Sequence, residues 1–253
     1  MPVAVEKPPW ALIDTVLLDL DGTLLDLAFD NYFWREVIPA AYATSNSLSL
    51  DAARARLLPR FRACEGTLEW YSIEYWSREL ELDAVTLKRA VADRVGWLPG
   101  AQQFLRCVRA AGKRLVLLTN AHPKVLQIKD ERTAVTSFLD AAFSSHSFGV
   151  PKENATFWEA IREIEPFDHD RTLFVDDSPP VLQAAREAGI RWVYGVRLPS
   201  TATTGWASEP RDHGPFPAVD SIAELTPEGP HAAGSPGSQR PEALGPLRPL
   251  PRE

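Results

Sequence analysis

Two carboxylates, Asp19 and Asp21, lie two positions apart at the end of a short apolar run, residues 16–18. A run of this kind is typical of a buried strand. Gly22 follows at once and frees the backbone to turn sharply, so that both carboxylates can point to the same side. They would repel each other strongly unless a cation lay between them. The stretch therefore indicates a binding place for Mg²⁺ and a phosphate group.

Polar groups also follow the other predicted strands. Thr119 and Asn120 end one strand, and Asp176 and Asp177 end a later one. Lys152 lies in a loop before a predicted helix. Because ligands of an open parallel sheet bind beyond the carboxyl ends of its strands, we expect these groups to meet at one edge of the sheet.

The elements that would position these groups alternate along the chain. The predicted strands are residues 15–20, 114–118, 141–144, 171–175 and 191–194. The predicted helices are residues 102–111, 123–132, 154–164 and 179–188, and one more short element is expected within residues 218–225. Strands separated by helices of about 10 to 15 residues predict an α/β fold, with a parallel sheet and right-handed crossovers.

Residues 28–96 have a different pattern. Apolar residues recur there at helical spacing and no strand pattern is convincing, which predicts an all-helical insertion of about four helices. Pro59 should bend or end one of them. The predicted domains are a core of residues 11–27 and 97–225, the insertion of residues 28–96, and a tail of residues 226–253. The tail is rich in Pro, Gly, Ser and Ala, and we expect it to be disordered.

The composition is that of an ordinary globular protein, with 45% hydrophobic and 24% charged residues. The formal net charge of −7 argues against a nucleic-acid partner, which would require neutralisation of phosphates. Cys64 and Cys107 form neither a disulfide framework nor a metal site. No signal peptide and no apolar run of roughly 18 residues is present, so we expect a cytoplasmic protein without a membrane partner. A monomer or small homo-oligomer is expected.

The polar stretches resemble, in order and context, the four motifs of the haloacid dehalogenase-like (HAD) hydrolases: residues 19–23, Thr119, Lys152 and residues 176–177. The likeness spans about residues 14–195. It implies a Rossmann-like core in which the helical insertion is a C1 cap. Three further stretches are similar to those of the GMP/IMP nucleotidase family: residues 64–71, 118–124 and 146–153. The resemblance implies a phosphomonoester hydrolase acting on a purine nucleoside 5′-monophosphate.

The chemistry of the residues agrees with this resemblance. Asp19 would be the nucleophile, whose carboxylate attacks phosphorus to give an aspartyl-phosphate. Asp21 would protonate the leaving alkoxide and then deprotonate the attacking water. Haloacid dehalogenases lack an acidic residue at this position, because a halide leaving group needs no proton. Asp21 therefore favours an oxygen leaving group.

The remaining polar residues would bind the metal ion and the phosphate. The predicted ligands of Mg²⁺ are Asp19, Asp21 through its backbone carbonyl, Asp176 and Asp177, the last directly or through water. Thr119 would donate its hydroxyl to a phosphoryl oxygen, with Asn120 beside it as a further substrate contact. Lys152 would offset the charge of the nucleophile and of the transferring group.

Each motif alone also has a purely structural explanation. Residues 19–23 could form a surface turn, and Thr119 could cap a helix. Lys152 alone could simply be solvated, and residues 176–177 could begin a helix. One shared site is favoured because all four motifs occur at strand ends, in this order.

The aromatic residues of the insertion belong mostly to its own core. Trp70 and Tyr71, beside residues 66–67, are our candidates for stacking on a base. The predicted partner is a small phosphorylated metabolite. Two alternatives stay open: a phosphatase or mutase for a sugar phosphate or another small phosphoester, and a non-catalytic binding protein with the HAD fold.

Overall fold

The computed structural model describes residues 6–202 and 209–228. Its strands are β1 (Thr15–Leu18), β2 (Arg114–Thr119), β3 (Ala141–Ser144), β4 (Thr172–Asp176), β5 (Trp192–Val196) and β6 (Ala218–Val219). Within these residues they form one sheet in the order β3–β2–β1–β4–β5–β6, and every neighbouring pair is parallel. The predicted α/β fold class is therefore confirmed. Most of the predicted disordered tail, residues 229–253, lies outside the described residues.

The segment between β1 and the next helix of the core is helical, and we call residues 28–94 the helical insert. Its helices are α1 (Ala28–Tyr32), α2 (Ile38–Ser45), α3 (Leu50–Cys64), α4 (Leu68–Tyr71), α5 (Ile73–Leu80) and α6 (Ala84–Ala90). A π-helical turn, Phe33–Val37, joins α1 to α2 without a break, and a 3₁₀ turn, Ala92–Arg94, follows α6. The insert thus contains more helices than the four expected. Pro59 does not end its helix, because α3 continues to Cys64.

The core helices are α7 (Ala101–Ala110), α8 (Pro123–Thr133), α9 (Ala155–Ile164) and α10 (Pro179–Glu187). Local sequence sets their starts. Pro179 occupies the first turn of α10, where a missing N–H costs nothing. The side chain of Asn154 accepts a hydrogen bond from the backbone N–H of Thr156 and so caps α9. The predicted strands and helices of the core agree with these bounds to within about two residues.

Two apolar layers cover the sheet, one on each face. Val16 and Leu18 belong to the layer that contains Phe104 of α7, whereas Leu17 belongs to the layer that contains Phe157 of α9. This division follows from the alternation of side chains along a strand. Because both faces are buried, β1 needs an uninterrupted apolar run, and its first polar side chain beyond Leu18 falls at the edge of the sheet.

The helical insert has a third apolar cluster of its own, around Phe33, Leu57 and Trp76. Ala121, just before α8, and Val125, in its first turn, also belong to this cluster. The insert therefore rests on the end of the sheet at which the polar residues lie. The division of the chain at residues 28 and 96 stays a prediction. None of the helices in the described residues is long and apolar enough to cross a membrane.

Candidate active site

The carboxylates that end β1 and β4 meet at the carboxyl edge of the sheet. Leu18 is paired with Val175, and the backbone N–H of Asp19 donates to the Val175 carbonyl at 3.0 Å. This register places Asp19 beside Asp176. A carboxylate oxygen from each of Asp19, Asp176 and Asp177 lies within 4.8 Å of the others, and all three residues are buried. We call these three residues the acid cluster.

Lys152 joins two members of the acid cluster. Its Nζ lies 2.5 Å from Asp19 Oδ1 and 2.7 Å from Asp176 Oδ2, and only 1% of the side chain is exposed. The lysine comes from the loop before α9, far from β1 in sequence. Arg211 pairs with the third member, Asp177, at 2.5 Å. Three buried carboxylates thus face two cations, which leaves one surplus negative charge in the cluster.

The turn after β1 can only be built with glycine. Gly22 has a φ of 89°, in the left-handed region that favours glycine. A Cβ atom at this position would lie 2.4 Å from Asp177 Oδ2 and 2.8 Å from Cβ of Pro199. The missing side chain therefore lets the turn approach the acid cluster closely.

Burial dominates the electrostatics of the acid cluster. It raises the pKa of Asp19 to about 7, against the opposing effect of Lys152, and the neighbouring carboxylates raise it further. The same cause raises the pKa of Asp176 to about 6 and that of Asp177 to about 7. Burial disfavours the charged form of Lys152, yet Asp176 and Asp19 together raise its pKa. Carboxylate oxygens and a surplus negative charge suit a hard divalent cation, so the residues present fit Mg²⁺.

Thr119 and Asn120 end β2, next to β1, but their side chains have different surroundings. The Thr119 hydroxyl accepts a hydrogen bond from the Ala121 N–H at 3.0 Å, which leaves its own proton available for a phosphoryl oxygen. The Asn120 amide accepts from the Lys152 N–H at 2.9 Å and donates to Glu153 at 2.9 Å. Asn120 thus positions the loop that carries Lys152. A substrate contact of its amide stays a prediction.

The Asp21 side chain does not join the acid cluster. Its Oδ1 lies 2.6 Å from Nζ of Lys129, on α8, and the same nitrogen lies 2.7 Å from Asp30. Lys129 and Asp30 are not among the site residues predicted from the sequence. A pattern could have revealed the lysine, because it lies four residues after Val125 and three after Leu126, on the buried face of α8. A charged residue on such a face needs a buried partner.

A cleft of about 430 Å³ opens between the helical insert and the core. Trp70 and Tyr71 line it from the insert, and Glu153 and Arg211 line it from the core. The Tyr71 hydroxyl donates to Glu153 Oε1 at 2.5 Å, so the insert and the core are directly joined here. Burial, and then the charge of Glu153, raise the pKa of Tyr71, which therefore remains a neutral donor. Neither Glu153 nor Arg211 is among the site residues predicted from the sequence.

The fold and the site together define a class: Rossmann-like α/β proteins with an acid cluster beyond the central strands and a helical insert after the first strand. The family model described as haloacid dehalogenase-like hydrolase matches residues 13–189, which is more than half of the chain. The chain belongs to this family of hydrolases. The prediction of an enzyme of the HAD superfamily is therefore confirmed.

Curated relatives and solved structures agree with this assignment. The chain is 41% identical over 192 residues to the GMP/IMP nucleotidase YrfG of Escherichia coli strain K12, covering 76% of this chain and 86% of the relative. The same figures hold for YrfG of Shigella flexneri. The crystal structure of a HAD phosphatase from Thermococcus onnurineus superposes with a TM-score of 0.69 at 18% identity, covering 84% of this chain and 96% of that one, which shows the fold alone. The predicted nucleotidase resemblance is confirmed, and the relatives support the predicted enzyme class, a phosphoric monoester hydrolase.

Proposed function

We propose that the chain is a Mg²⁺-dependent phosphomonoester hydrolase that acts through an aspartyl-phosphate on Asp19. The observation that carries this proposal is the acid cluster with Lys152 between Asp19 and Asp176. A buried nucleophile beside a fixed cation at a sheet edge is the arrangement that phosphoryl transfer requires, because positioning and charge stabilisation supply most of its catalysis.

The proposed metal ligands are Asp19, Asp176, Asp177 and the backbone carbonyl of Asp21. When bound, Mg²⁺ would offset the surplus negative charge and polarise a phosphoryl oxygen. Asp177 is paired with Arg211, so we propose that it contributes either directly or through a water molecule.

The remaining chemistry belongs to the side chains. An Asp19 carboxylate oxygen attacks phosphorus, the bond from phosphorus to the ester oxygen breaks, and Asp21 gives its proton to that oxygen. Asp21 then takes a proton from a water molecule, which attacks phosphorus and releases Asp19 and inorganic phosphate. Thr119 donates to a phosphoryl oxygen and Lys152 offsets the charge that develops.

We propose a purine nucleoside 5′-monophosphate, such as GMP or IMP, as the substrate. The relative that is 41% identical is named a GMP/IMP nucleotidase. The cleft beside the acid cluster is lined by an indole ring, Trp70, and by the hydroxyl-bearing ring of Tyr71. Either ring offers a flat apolar face to a base. Cytoplasmic location and a monomeric or small homo-oligomeric state are part of this proposal.

Phosphate release from a panel of esters tests the function. The panel contains GMP, IMP, a pyrimidine nucleotide, a hexose phosphate and p-nitrophenyl phosphate, each with Mg²⁺ and with excess chelator. We expect release with Mg²⁺ only, with the highest kcat/KM for GMP and IMP. Preference for the hexose phosphate would favour the alternative phosphatase or mutase. If no ester is hydrolysed, the non-catalytic alternative is the better explanation.

Trp70→Ala tests the role of the cleft. Loss of one base-stacking contact costs about 1–3 kcal/mol, so we expect the KM for GMP to rise by about 5-fold to 150-fold. The KM for the hexose phosphate, which has no aromatic ring to stack on Trp70, should not change, and Trp70→Phe should restore most of the affinity for GMP. Trp70 also packs against Phe61, at 6.2 Å between ring centroids. Equal losses on both esters would therefore assign Trp70 a structural role.

A further inference from the structure

Four charged side chains form a continuous row from the helical insert to Asp21, and we call them the charge row. Lys88 on α6 lies 2.6 Å from Asp30 on α1, Asp30 lies 2.7 Å from Lys129 on α8, and Lys129 lies 2.6 Å from Asp21. While Asp21 is ionised, the signs alternate along the row and sum to zero. The row joins both ends of the insert, through Asp30 and Lys88, to a residue two positions from the nucleophile.

Both lysines of the charge row are shielded from solvent. Each has 1% of its side chain exposed, whereas Asp21 has 22% exposed. The Lys88 ammonium also lies 4.5 Å from the centroid of the Phe33 ring. A buried lysine has a large desolvation cost and is stable only with well-placed partners. Lys129 is therefore fixed by its two carboxylates, and the carboxylates are fixed by it.

We propose that Lys129 is the positioning residue for Asp21, and that Asp30 fixes Lys129 for this task. This inference rests on the proposed function, in which Asp21 exchanges a proton with the leaving oxygen. Lys129 does not touch the phosphate or the leaving group in this role. It acts by holding one carboxylate oxygen of Asp21 in a set place.

The geometry gives a reason why Asp21 needs such a support. Asp21 directly precedes Gly22, whose φ of 89° turns the chain sharply, and its side chain does not share the contacts that fix Asp19 and Asp176. The ion pair with Lys129 uses Oδ1, so Oδ2 is not committed to this contact. A carboxylate held through one oxygen can present the other in a fixed direction, and proton transfer requires such alignment.

Lys129→Met tests the proposal through the leaving group. Release of the sugar alkoxide from GMP requires a proton, whereas p-nitrophenolate is stable as an anion and leaves without one. A misplaced general acid therefore slows only the first reaction, and general acid catalysis typically contributes about 10²–10⁴ in rate. We expect kcat for GMP to fall by about tenfold or more, with kcat for p-nitrophenyl phosphate changing by less than about threefold. The KM for GMP should stay near its original value.

Lys124→Met is the matched control. Lys124 lies on the same helix and also pairs with the insert, at 2.5 Å from Glu74, but 53% of its side chain is exposed. The variant removes the same charge and another contact between insert and core, and it leaves the charge row intact. It should hydrolyse both esters at the original rates.

A second variant protects the test against misfolding, because Lys129→Met alone leaves surplus negative charge in a buried place. Lys88→Met combined with Asp30→Asn removes one charge of each sign, leaves Lys129 paired with Asp21 alone, and should show the same selective loss, because Lys129 is then no longer fixed by Asp30. Equal loss on both esters, unchanged kinetics, or failure of both variants to fold by circular dichroism would overturn the proposal. Absence of turnover in the unsubstituted protein would instead end the proposed function, and the role of Lys129 with it.

Discussion

Asp19→Asn should abolish hydrolysis of every phosphate ester that the chain accepts. The carboxamide has no anionic oxygen with which to attack phosphorus, so the covalent step is lost. Removal of a nucleophile in other hydrolases costs up to about 10⁶ in kcat, and we expect a loss of about 10⁴ or more here. The measurement is phosphate release with GMP at saturating Mg²⁺. Mass spectrometry after acid quenching should find a phosphoryl group on the peptide that contains Asp19 in the unsubstituted protein and none in the variant.

The loss should not come from unfolding. The acid cluster faces Lys152 and Arg211 with one carboxylate in excess, and Asp19→Asn removes that excess. Lys152 keeps its contact with Asp176. The metal-free variant should therefore have a melting temperature at least equal to that of the original protein. Activity that survives in this variant would exclude Asp19 as the nucleophile.

Asp14→Asn is the matched control for this substitution. Asp14 immediately precedes the same strand, at its opposite end, and pairs with Arg171 at the surface, where 56% of the Asp14 side chain is exposed. An exposed ion pair contributes little to the free energy of unfolding, because solvent screens the two charges. The same chemical change at Asp14 should therefore leave kcat and the melting temperature almost unchanged.

Mg²⁺ affinity should fall steeply as the pH falls from 8 to 5. The pKa values of Asp19 and Asp177 are raised to about 7 and that of Asp176 to about 6, in each case chiefly by burial. At pH 8 the carboxylates are ionised and ready to bind a cation. Below pH 6 the metal ion must displace protons, and each displaced proton weakens the affinity about tenfold per pH unit.

The free energy of unfolding of the metal-free protein should instead increase as the pH falls. All three pKa values lie above 3.8, the ordinary value of an aspartate, so between about pH 4 and 7 the folded protein binds more protons than the unfolded chain. The contribution of the acid cluster to the free energy of unfolding is therefore fully present below about pH 4. It is lost as the pH rises through 6 and 7.

Thermal unfolding with and without Mg²⁺ measures both effects. We expect a large increase of the melting temperature by Mg²⁺ at pH 8 and almost none at pH 5. Asp176→Asn removes a proposed ligand and should reduce the increase at pH 8. An increase of equal size at both pH values would contradict a metal site made of these three carboxylates.

The sequence by itself determined the order of the core elements and the places at which chemistry is possible. An apolar run such as residues 16–18 can be stable only when both its faces are covered, and this predicts a central parallel strand. The first polar residue after such a run must lie at the edge of the sheet. This predicted that Asp19 and Asp176 meet at the same edge. The sharp turn at Gly22 was also predictable from local sequence, because glycine readily adopts the positive φ that this turn has.

Only the tertiary structure decided which charges pair with each other. Asp21 lies only two residues after Asp19 in the sequence, yet its carboxylate pairs with Lys129, 108 residues away. Lys152 reaches Asp19 across 133 residues, and Tyr71 reaches Glu153 across 82. Local patterns show that a lysine is buried, but they do not show which carboxylate compensates its desolvation cost. That partner is set by how α8 and the helical insert pack against the sheet, and this packing depends on the whole chain.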